Sequence, residues 1–460
     1  MTLDKRMIGF FSGIIVFLIL FFIPIDNLGY EGQTLLALLI MTVIFWATGV
    51  VQPGFSAGLF LMLMVIFKVE APGTIFSMWL GPIMWLIIGA YIIADAVASS
   101  GLGERLAYSF IIKFVSSYKS IIISIFILNL ILSLFIPHPF PKAFLILSVM
   151  KSVMDAAKMN AQDRIIVGFT VFASAIPTSM IFLTGDSSFM PLVSEYAGVP
   201  VGWLEWFKFM SVPSIAMMIM TCLLIFIMFR PKEKVNVNKD EIRAKLNSMG
   251  KLSSKEIRTI IWLVIAIVLW MTDAWHHINV GWITLLVAMG MSFPIVGNIV
   301  TPKAWSEVPV ATLMFLTAAL AIGKVGGTTG MNTWLFTTIL PGNIPTNPFL
   351  MAALITLICI ICHMILGSCI AVMGIACPAM ITFASSLGIS PLVPAFIVLT
   401  SIYTHYIFPY HNLPILVGSG EGKGGYGARE TIRMGLPLTI AVFITTVVVE
   451  VLWFQIIGLW

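Results

Sequence analysis

Charge is scarce in this chain of 460 residues. Asp, Glu, Lys and Arg together make up 10% of the sequence, against 59% hydrophobic residues and a mean hydropathy of +1.05. Cysteine is also scarce: the five residues all lie in apolar segments, so no disulfide framework is expected. A soluble domain carries about 25% charged residues. The composition therefore excludes a water-soluble fold and predicts a polytopic membrane protein.

Apolar runs of membrane-spanning length recur along the chain. They predict eleven transmembrane spans, at residues 8–25, 33–51, 53–68, 76–98, 163–183, 206–229, 258–272, 278–296, 309–329, 390–408 and 432–457. Lys5 and Arg6 precede the first run, which has no small-residue cleavage site. We therefore expect a retained helix there rather than a signal peptide.

The longest polar stretch, between Arg230 and Arg258, gives the expected orientation. It holds nine basic residues against four acidic ones, a net charge equal to the +5 of the whole chain. Under the positive-inside rule this stretch and the N-terminus lie inside, and an odd number of spans places the C-terminus outside a cytoplasmic (inner or plasma) membrane. Membrane topology thus accounts for the basic excess, and no nucleic-acid partner is predicted.

Short stretches of the first half return in the second half. Residues 45–48 (Phe-Trp-Ala-Thr) and 99–102 (Ser-Ser-Gly-Leu) are matched, at a nearly constant offset, by residues 269–272 (Leu-Trp-Met-Thr) and 328–331 (Thr-Thr-Gly-Met). This pattern predicts a duplicated unit. In a protein this apolar, two repeats facing opposite ways across the bilayer indicate a transporter.

Two long apolar segments are interrupted near their middle. Residues 119–157 are broken at 137–142 (Pro-His-Pro-Phe-Pro-Lys), and residues 349–386 are broken at 367–369 (Gly-Ser-Cys). We expect two re-entrant helical hairpins whose tips lie at membrane depth. Backbone without helical partners is tolerated there only where it lines a polar cavity inside the protein.

Each hairpin is followed by a helix that is itself broken. The first, at residues 163–192, is interrupted at 184–188 (Thr-Gly-Asp-Ser-Ser), and the second, at 390–416, at 409–414 (Pro-Tyr-His-Asn-Leu-Pro). Such breaks expose backbone carbonyls and amides to ions and substrates. The predicted fold is an all-α polytopic membrane protein with two inverted repeats, about eleven transmembrane helices and two re-entrant hairpins, divided into an N-terminal helix (1–32), a first repeat (33–229), a cytoplasmic basic linker (230–257) and a second repeat (258–460).

This order of elements, together with the repeated stretches and residues 409–420, resembles the divalent anion/sodium symporter family. The resemblance implies an ion-transporter fold, an elevator mechanism and a homodimer with a scaffold domain and a mobile transport domain. The family's Ser-Asn-Thr signature is absent from both tips, where residues 137–139 read Pro-His-Pro and residues 368–370 read Ser-Cys-Ile. We therefore expect a reduced set of sodium sites, with proton coupling or substrate exchange as the alternatives.

Two sets of residues are predicted to form the transport site. The expected substrate-binding set comprises His138, Pro139, Lys142, Ser368, Cys369, His411 and Asn412. The expected cation-binding set comprises Thr184, Gly185, Asp186, Ser187, Ser188 and Gly367. No catalytic residue, metal ion or organic cofactor is expected, and Na⁺ or H⁺ is the candidate coupling ion. The expected partners are a small anionic substrate, the lipid bilayer and a second copy of the chain.

Alternatives remain open for the charged residues. Lys142 either meets the substrate, or snorkels or pairs with a carboxylate such as Asp186. His138 either binds the anion or is a hydrogen-bonded hairpin residue. Asp186 coordinates a cation, carries a proton or caps the second half-helix. Asp95 and Lys324 occupy equivalent repeat positions and could form an intramembrane pair.

The predicted function is secondary active transport of small organic anions, with dicarboxylates as the expected substrates. The leading alternative within transport is a cation/proton antiporter of the same broad fold, and the alternative of another class is a membrane-embedded enzyme. The glycine-rich stretch 418–425 lacks the glycine at position 417 and the Ser or Thr after Lys423 that a phosphate loop requires, so ATP-driven transport is not predicted.

Overall fold

The computed structural model describes residues 4–231, 237–339, 346–385 and 387–460. The regular secondary structure in these ranges is helical, and they contain no β-strand. This confirms the predicted all-α class. Small parts of three predicted segments lie outside the described residues: residues 1–3 of the N-terminal segment, 232–236 of the linker, and 340–345 and 386 of the second repeat, with 386 in its hairpin.

The first half and the linker contain the helices Lys5–Phe22, Tyr30–Thr48, Pro53–Ile66, Pro72–Ile75, Ser77–Leu80, Pro82–Ser100, Leu102–Phe114, Tyr118–Phe135, Pro139–Ala156, Ala161–Met180, Met190–Ala197, Trp203–Met228 and Lys239–Ser248. The second half contains Ser254–Met271, Asp273–His276, Val280–Gly290, Lys303–Ser306, Val310–Thr328, Met331–Ile339, Pro348–Leu366, Cys369–Ser385, Leu392–Tyr403, the 3₁₀ turn Pro409–His411, Leu413–Gly418, and a last span made of Ala428–Phe443, the π-helical Ile444–Glu450 and Val451–Ile456.

Within the described ranges, eight helices are long and apolar enough to cross a membrane. Two of them, Tyr118–Phe135 and Pro348–Leu366, are the first arms of helical hairpins. The span predicted at 278–296 is helical only over Val280–Gly290, because a turn that contains Pro294 follows. The number of eleven spans therefore stays a prediction.

The repeated sequence pattern corresponds to a repeated local structure. Gly101 follows the helix Pro82–Ser100 with a φ of 83°, and Gly330 follows the helix Val310–Thr328 with a φ of 76°. This left-handed conformation favours glycine, which ends the helix and redirects the chain. In both halves a short helix, a hairpin and a broken helix then follow in the same order.

Helices of the two halves pack directly against each other. Pro53–Ile66 lies along Val310–Thr328, and Pro82–Ser100 lies along Val280–Gly290. Gly281 lies at the second contact, where a Cβ would approach a backbone carbonyl oxygen to 2.1 Å. Small residues of this kind let membrane helices approach closely. The halves therefore form one interlocked core.

The two hairpins have short, non-helical tips. Pro137 and His138 separate the arms of the first hairpin, Tyr118–Phe135 and Pro139–Ala156. In the second hairpin the arms are Pro348–Leu366 and Cys369–Ser385, and Gly367 in the left-handed region (φ 63°) ends the first arm. Sequence interruption and structural tip coincide because proline and left-handed glycine end helices locally.

The first broken helix consists of Ala161–Met180 and Met190–Ala197, with turns between them. The second broken helix differs from the prediction, because its first part ends at Tyr403, ahead of the break expected at 409–414. The contacts at this helix end come from the second hairpin tip and from the break itself. The carbonyl oxygens of the last two residues of this helix accept hydrogen bonds from the Cys369 thiol and the Asn412 amide, which satisfy the chain without a further turn.

The basic linker is a docked element. Its helix Lys239–Ser248 packs on Leu102–Phe114, and Lys239 donates to a backbone carbonyl of that helix at 2.9 Å. Arg105 of the same helix forms a two-pronged ion pair with Glu256, at 2.5 and 3.2 Å. The linker thus holds the start of the second half against the first.

The glycine-rich stretch 418–425 packs against the first broken helix. A Cβ at Gly168 would lie 2.1 Å from the carbonyl oxygen of Gly424, so this backbone contact requires glycine at position 168. Beside it the ring of Tyr426 meets that of Phe169 edge to face, with centroids 5.1 Å apart. The stretch therefore serves close packing between the two broken helices.

Candidate functional site

A cavity of 660 Å³ lies where the hairpins and the broken helices meet. Its wall draws on both tips and both breaks, within residues 138–140, 366–370, 186–189 and 410–416. It reaches the molecular surface at the exposed residues Lys5, Gly49 and Gln52. The structure thus brings the four sequence interruptions together around one space.

The predicted site residues divide into two groups. Those that line the cavity are His138, Asp186, Ser188, Gly367, Ser368, Cys369, His411 and Asn412. Those that are not part of its wall are Pro139, Lys142, Thr184, Gly185 and Ser187. Most of the second group belongs to the expected cation-binding set.

Three of these outer residues hold the first break in place. Thr184 accepts a hydrogen bond from the indole of Trp203 at 3.1 Å. The Ser187 hydroxyl donates to the Pro137 carbonyl at 2.9 Å and ties the break to the first hairpin tip. Gly185 lies so close to the end of Ala161–Met180 that a Cβ would meet a carbonyl oxygen at 2.1 Å. Their contacts are structural.

His138 caps the second arm of the first hairpin and contacts Tyr91. Its Nδ1 accepts a hydrogen bond from the backbone N–H of Phe140 (3.3 Å), and its Nε2 lies 2.8 Å from the Tyr91 hydroxyl. A ring nitrogen that accepts carries no proton, so this ring is neutral and its proton lies on Nε2. His138 then donates to Tyr91, which leaves the phenol proton free to bind a cavity ligand. His138 is thus a hydrogen-bonded hairpin residue whose neutral ring orients the Tyr91 phenol.

Lys142 is fully buried between the first hairpin and the first broken helix. Its ammonium donates to the hydroxyls of Ser133 and Ser179, the latter at 2.7 Å. Among the described residues no salt bridge joins it to Asp186. Lys142 thus neither snorkels nor pairs directly with this carboxylate, and the hairpin carries a tethered cation.

Asp186 links the first break to the second. One carboxylate oxygen accepts from the backbone N–H of Ser188 (3.0 Å), and the other accepts from the hydroxyl of Tyr403 (2.8 Å). The half-helix Met190–Ala197 receives no side-chain cap, so Asp186 is not its N-cap. The carboxylate instead fixes its own turn and the end of the neighbouring broken helix.

The second break presents two buried polar atoms that have no partner among the described residues. His411 Nδ1 accepts from the backbone N–H of Ile407 (3.2 Å), so its proton lies on Nε2, which has no acceptor. The Asn412 amide donates to the Tyr403 carbonyl (2.8 Å), and its Oδ1 has no donor. Because buried polar groups are normally satisfied, these atoms indicate a polar ligand.

Sequence reasoning missed three phenols that line the cavity, Tyr410 within the second break and Tyr91 and Tyr403 outside the breaks. The last two had the weaker signal. Neither lies in a sequence interruption: Tyr91 is inside the helix Pro82–Ser100, and Tyr403 ends the first part of a broken helix. For Tyr91 the one signal is a phenol placed one turn before Asp95 in an otherwise apolar helix.

The sequence left open whether Asp95 pairs with Lys324, and the structure gives Lys324 a different partner. Lys324 pairs with Glu195, at the end of the first broken helix, and both side chains are about one-third exposed. Equivalent positions in two repeats therefore do not meet. The pair that forms joins the first broken helix to the helix Val310–Thr328.

Comparison with known proteins gives the family. Residues 4–460 match the family model described as the sodium:sulfate symporter transmembrane region. The chain belongs to the sodium:sulfate symporter family. This confirms the resemblance to divalent anion/sodium symporters drawn from the hairpins and repeats. The match covers every element that lines the cavity.

This sodium:sulfate symporter family member has several named relatives. It is 25% identical to the "Dicarboxylate transporter 1, chloroplastic" of Spinacia oleracea, over 98% of this chain and 81% of that protein. It is 24% identical to the "Putative malate transporter YflS" of Bacillus subtilis, over 55% of each chain. It is also 24% identical to the "Citrate/succinate antiporter" of Escherichia coli, over 42% of this chain and 41% of that one.

A solved structure supports the architecture of this family member. The YdaH transporter of Alcanivorax borkumensis aligns with a TM-score of 0.51 over 81% of this chain and 85% of that one, at 15% identity, which concerns the fold alone. Family and relatives are transporters. The protein is therefore a multi-pass membrane transporter of anions, and the alternative of a membrane-embedded enzyme is wrong.

Proposed function

We propose that this protein is a secondary active transporter of small dicarboxylates, which bind in the 660 Å³ cavity between the hairpin tips and the breaks. The observation that carries the proposal is the buried Nε2–H of His411, a donor that finds no acceptor in the described part of the chain and belongs to a residue that lines the cavity. A carboxylate is a strong acceptor for such a donor. The relatives named as dicarboxylate, malate and citrate/succinate transporters support this choice.

A second donor group faces the same cavity from the first repeat. The Tyr91 hydroxyl, whose oxygen accepts from His138, has its own proton available. Apolar side chains such as Phe189, Phe315 and Ile370 complete the wall. An anion with a carboxylate at each end and a short carbon chain between them matches donors at two places with apolar surface between them.

We further propose that the two repeats are inverted and that the site moves by an elevator mechanism. The hairpins and broken helices form the mobile transport domain, and the earlier spans of each repeat form the scaffold of a homodimer. With the N-terminus inside, as the positive-inside rule predicts, the cavity mouth at Lys5 faces the cytoplasm. The conformation would then be inward-open.

The coupling ion is proposed to be H⁺ or a reduced number of Na⁺ ions, with exchange as the other mode. Of the expected cation set, only Asp186, Ser188 and Gly367 line the cavity. The Asp186 carboxylate is already engaged by two donors, so the oxygens without a partner among the described residues of this wall are the Ser188 hydroxyl and the Asn412 Oδ1. Few oxygens thus remain for a full set of sodium ligands.

Uptake by proteoliposomes tests this proposal. Labelled succinate is supplied with sodium and proton gradients imposed separately, and saturable uptake is expected. His411→Phe removes the donor and should weaken apparent affinity about tenfold or more, as expected for a hydrogen bond to a charged group. His411→Gln keeps an N–H near the Nε2 position and should restore part of the affinity.

The exposed His277 supplies the matched control, because His277→Phe changes a histidine remote from the cavity. Folded protein that takes up no dicarboxylate under either gradient would refute the proposal. Sodium uptake driven by a proton gradient without any anion would favour cation/proton antiport instead. Native affinity in His411→Phe would move the binding site away from the second break.

A further inference from the structure

A buried histidine network lies directly behind the cavity wall in the second repeat. The ring of His363, on the first arm of the second hairpin, lies 5.3 Å from that of His411 and 5.4 Å from that of His405, between centroids. His405 has no exposed surface, and its Nε2 lies 3.1 Å from the hydroxyl of Thr439 on the last span. Hairpin, break and last span thus meet through three imidazoles.

The hydrogen bonds fix where the protons lie. His363 Nε2 donates to the carbonyl oxygen of His411 (2.9 Å), because a carbonyl can only accept. His363 Nδ1 lies 3.3 Å from His405 Nδ1, a contact that requires one proton. A neutral His363 has its proton on Nε2, so His405 supplies the proton between the rings. His405 Nε2 is then bare and accepts from Thr439.

Thr439 has a competing acceptor. Its hydroxyl lies 3.0 Å from the carbonyl oxygen of Gly435, and its single proton cannot serve both partners. When Thr439 donates to Gly435, its oxygen offers a lone pair to His405 Nε2, which then needs a proton of its own. The network can therefore take up one proton through rotation of one hydroxyl, with every heavy-atom contact kept.

We propose that His405 is a proton-binding site that couples transport of the anionic substrate to H⁺. This inference rests on the proposed function, because it names the coupling ion of that same site. A proton on His405 is shared toward His363 through the bond between their Nδ1 atoms, and His363 is in turn bonded to the backbone of His411, which lines the cavity. Positive charge therefore builds up behind the wall that binds the anion.

The surroundings leave this charge without a counter-ion. Two titratable groups lie next to the histidine network. Cys369 on the second hairpin has its sulfur 3.4 Å from His363 Nε2, and Tyr410 in the break has its ring 4.7 Å from that of His411, between centroids. In the first break, Asp186 accepts a hydrogen bond from Tyr403. On the last span, Arg433 lies over a phenyl ring and Glu450 bonds to Thr400.

Since none of these groups forms an ion pair with His405, a bound anion is the missing opposite charge. At a separation of about 10 Å and an effective dielectric constant of about 20, one unit charge changes the affinity for an anion roughly fifteenfold. By linkage, the bound anion favours proton uptake by the same factor. Substrate and proton would then travel together.

Calorimetric binding of fumarate to the purified full chain tests the inference, since fumarate stays fully ionised from about pH 5.5 to about pH 8.5, where histidine titrates. We expect the dissociation constant to rise at least tenfold across this range, with uptake of up to one proton per fumarate. His405→Gln should bind with the alkaline affinity of the native protein at every pH and take up no proton.

Thr439→Val gives a second route if His405→Gln does not fold. It removes the oxygen that accepts from protonated His405 and should shift the midpoint of the pH profile to lower pH, whereas Thr439→Ser should not. His277→Gln, an exposed histidine, should keep the native profile. Binding that is independent of pH and takes up no proton overturns the inference and leaves the proposed function standing. A chain that binds none of fumarate, succinate and malate at any pH contradicts the proposed function itself.

Discussion

Replacing Lys142 by methionine separates a structural role of the tethered cation from a role in anion binding. The change keeps nearly the same volume in a fully buried place and removes the charge. It deletes two hydrogen bonds from an ammonium, worth about 1.5–3 kcal/mol each. It also removes the desolvation cost of a buried ion, which is several kcal/mol.

The serines left behind stay satisfied as donors. Ser133 donates to the carbonyl oxygen of Asn129 (2.7 Å), and Ser179 donates to that of Ala175 (2.6 Å). No buried hydroxyl proton is orphaned by the substitution. We therefore expect the free energy of unfolding to change by no more than about 2 kcal/mol, the difference between the lost bonds and the recovered desolvation.

The loss of the charge should also weaken anion binding. Lys142 lies about one helical turn, or about 6 Å of helix rise, beyond His138 at the cavity wall. With hydrogen-bond reach added, its charge lies about 10 Å from a bound carboxylate, which corresponds to about 1.7 kcal/mol at an effective dielectric constant of about 20. Lys142→Met should thus weaken dicarboxylate affinity more than tenfold.

The test measures thermal unfolding in detergent and dicarboxylate binding on the same preparation. Together these two measurements separate a structural role of Lys142 from a role in anion binding. Met150→Leu, a buried change on the same hairpin arm, is the matched control and should alter neither quantity appreciably. Native affinity in a stable Lys142→Met protein would refute the electrostatic role. Loss of folding would refute the energy balance and make Lys142 a structural requirement of the hairpin.

Two further predictions concern the linker and the second hairpin tip. The hydrogen bond from Arg105 holds the pKa of Glu256 below its usual range. The contribution of this pair to the stability of the fold is therefore fully present above about pH 4.3, the ordinary Glu value. It is lost as the pH falls through the lowered pKa. Arg105→Ala should therefore flatten the acid limb of the thermal-stability profile, and an unchanged limb would contradict this. Ser368→Cys in a Cys369→Ala background should react with a membrane-impermeant thiol reagent from the cavity side. Saturating dicarboxylate should slow this reaction. A labelling rate that does not change with substrate would place this tip outside the site.

Local signals in the sequence located the interruptions well. Proline at residues 137–141 and glycine at 367 end helices by their own stereochemistry, so both hairpin tips fall at the expected places. The same holds for the first break, where residues 184–188 lie within the turns after Met180. The cavity follows from these positions, because the four interruptions converge.

Contacts between distant segments could not be read from the sequence. The end of the second broken helix at Tyr403 depends on donors from Cys369 and Asn412, and no residue near Tyr403 marks it. The contact of His138 with the phenol of Tyr91 likewise depends on a separate helix. Nothing in the sequence around His405 marks it as a proton site, since only the folded chain shows the competition for the Thr439 proton.

The seam between Gly168 and the glycine-rich stretch has a mechanical consequence. Backbone lies against backbone there, with no side chain between them to yield, so a displacement of one broken helix is passed to the other without slack. In the proposed elevator motion, the two halves of the binding site would therefore shift as a single body, and neither would reach the opposite face ahead of the other. A rigid joint of this kind would deny ions and water a leak path through a half-moved site.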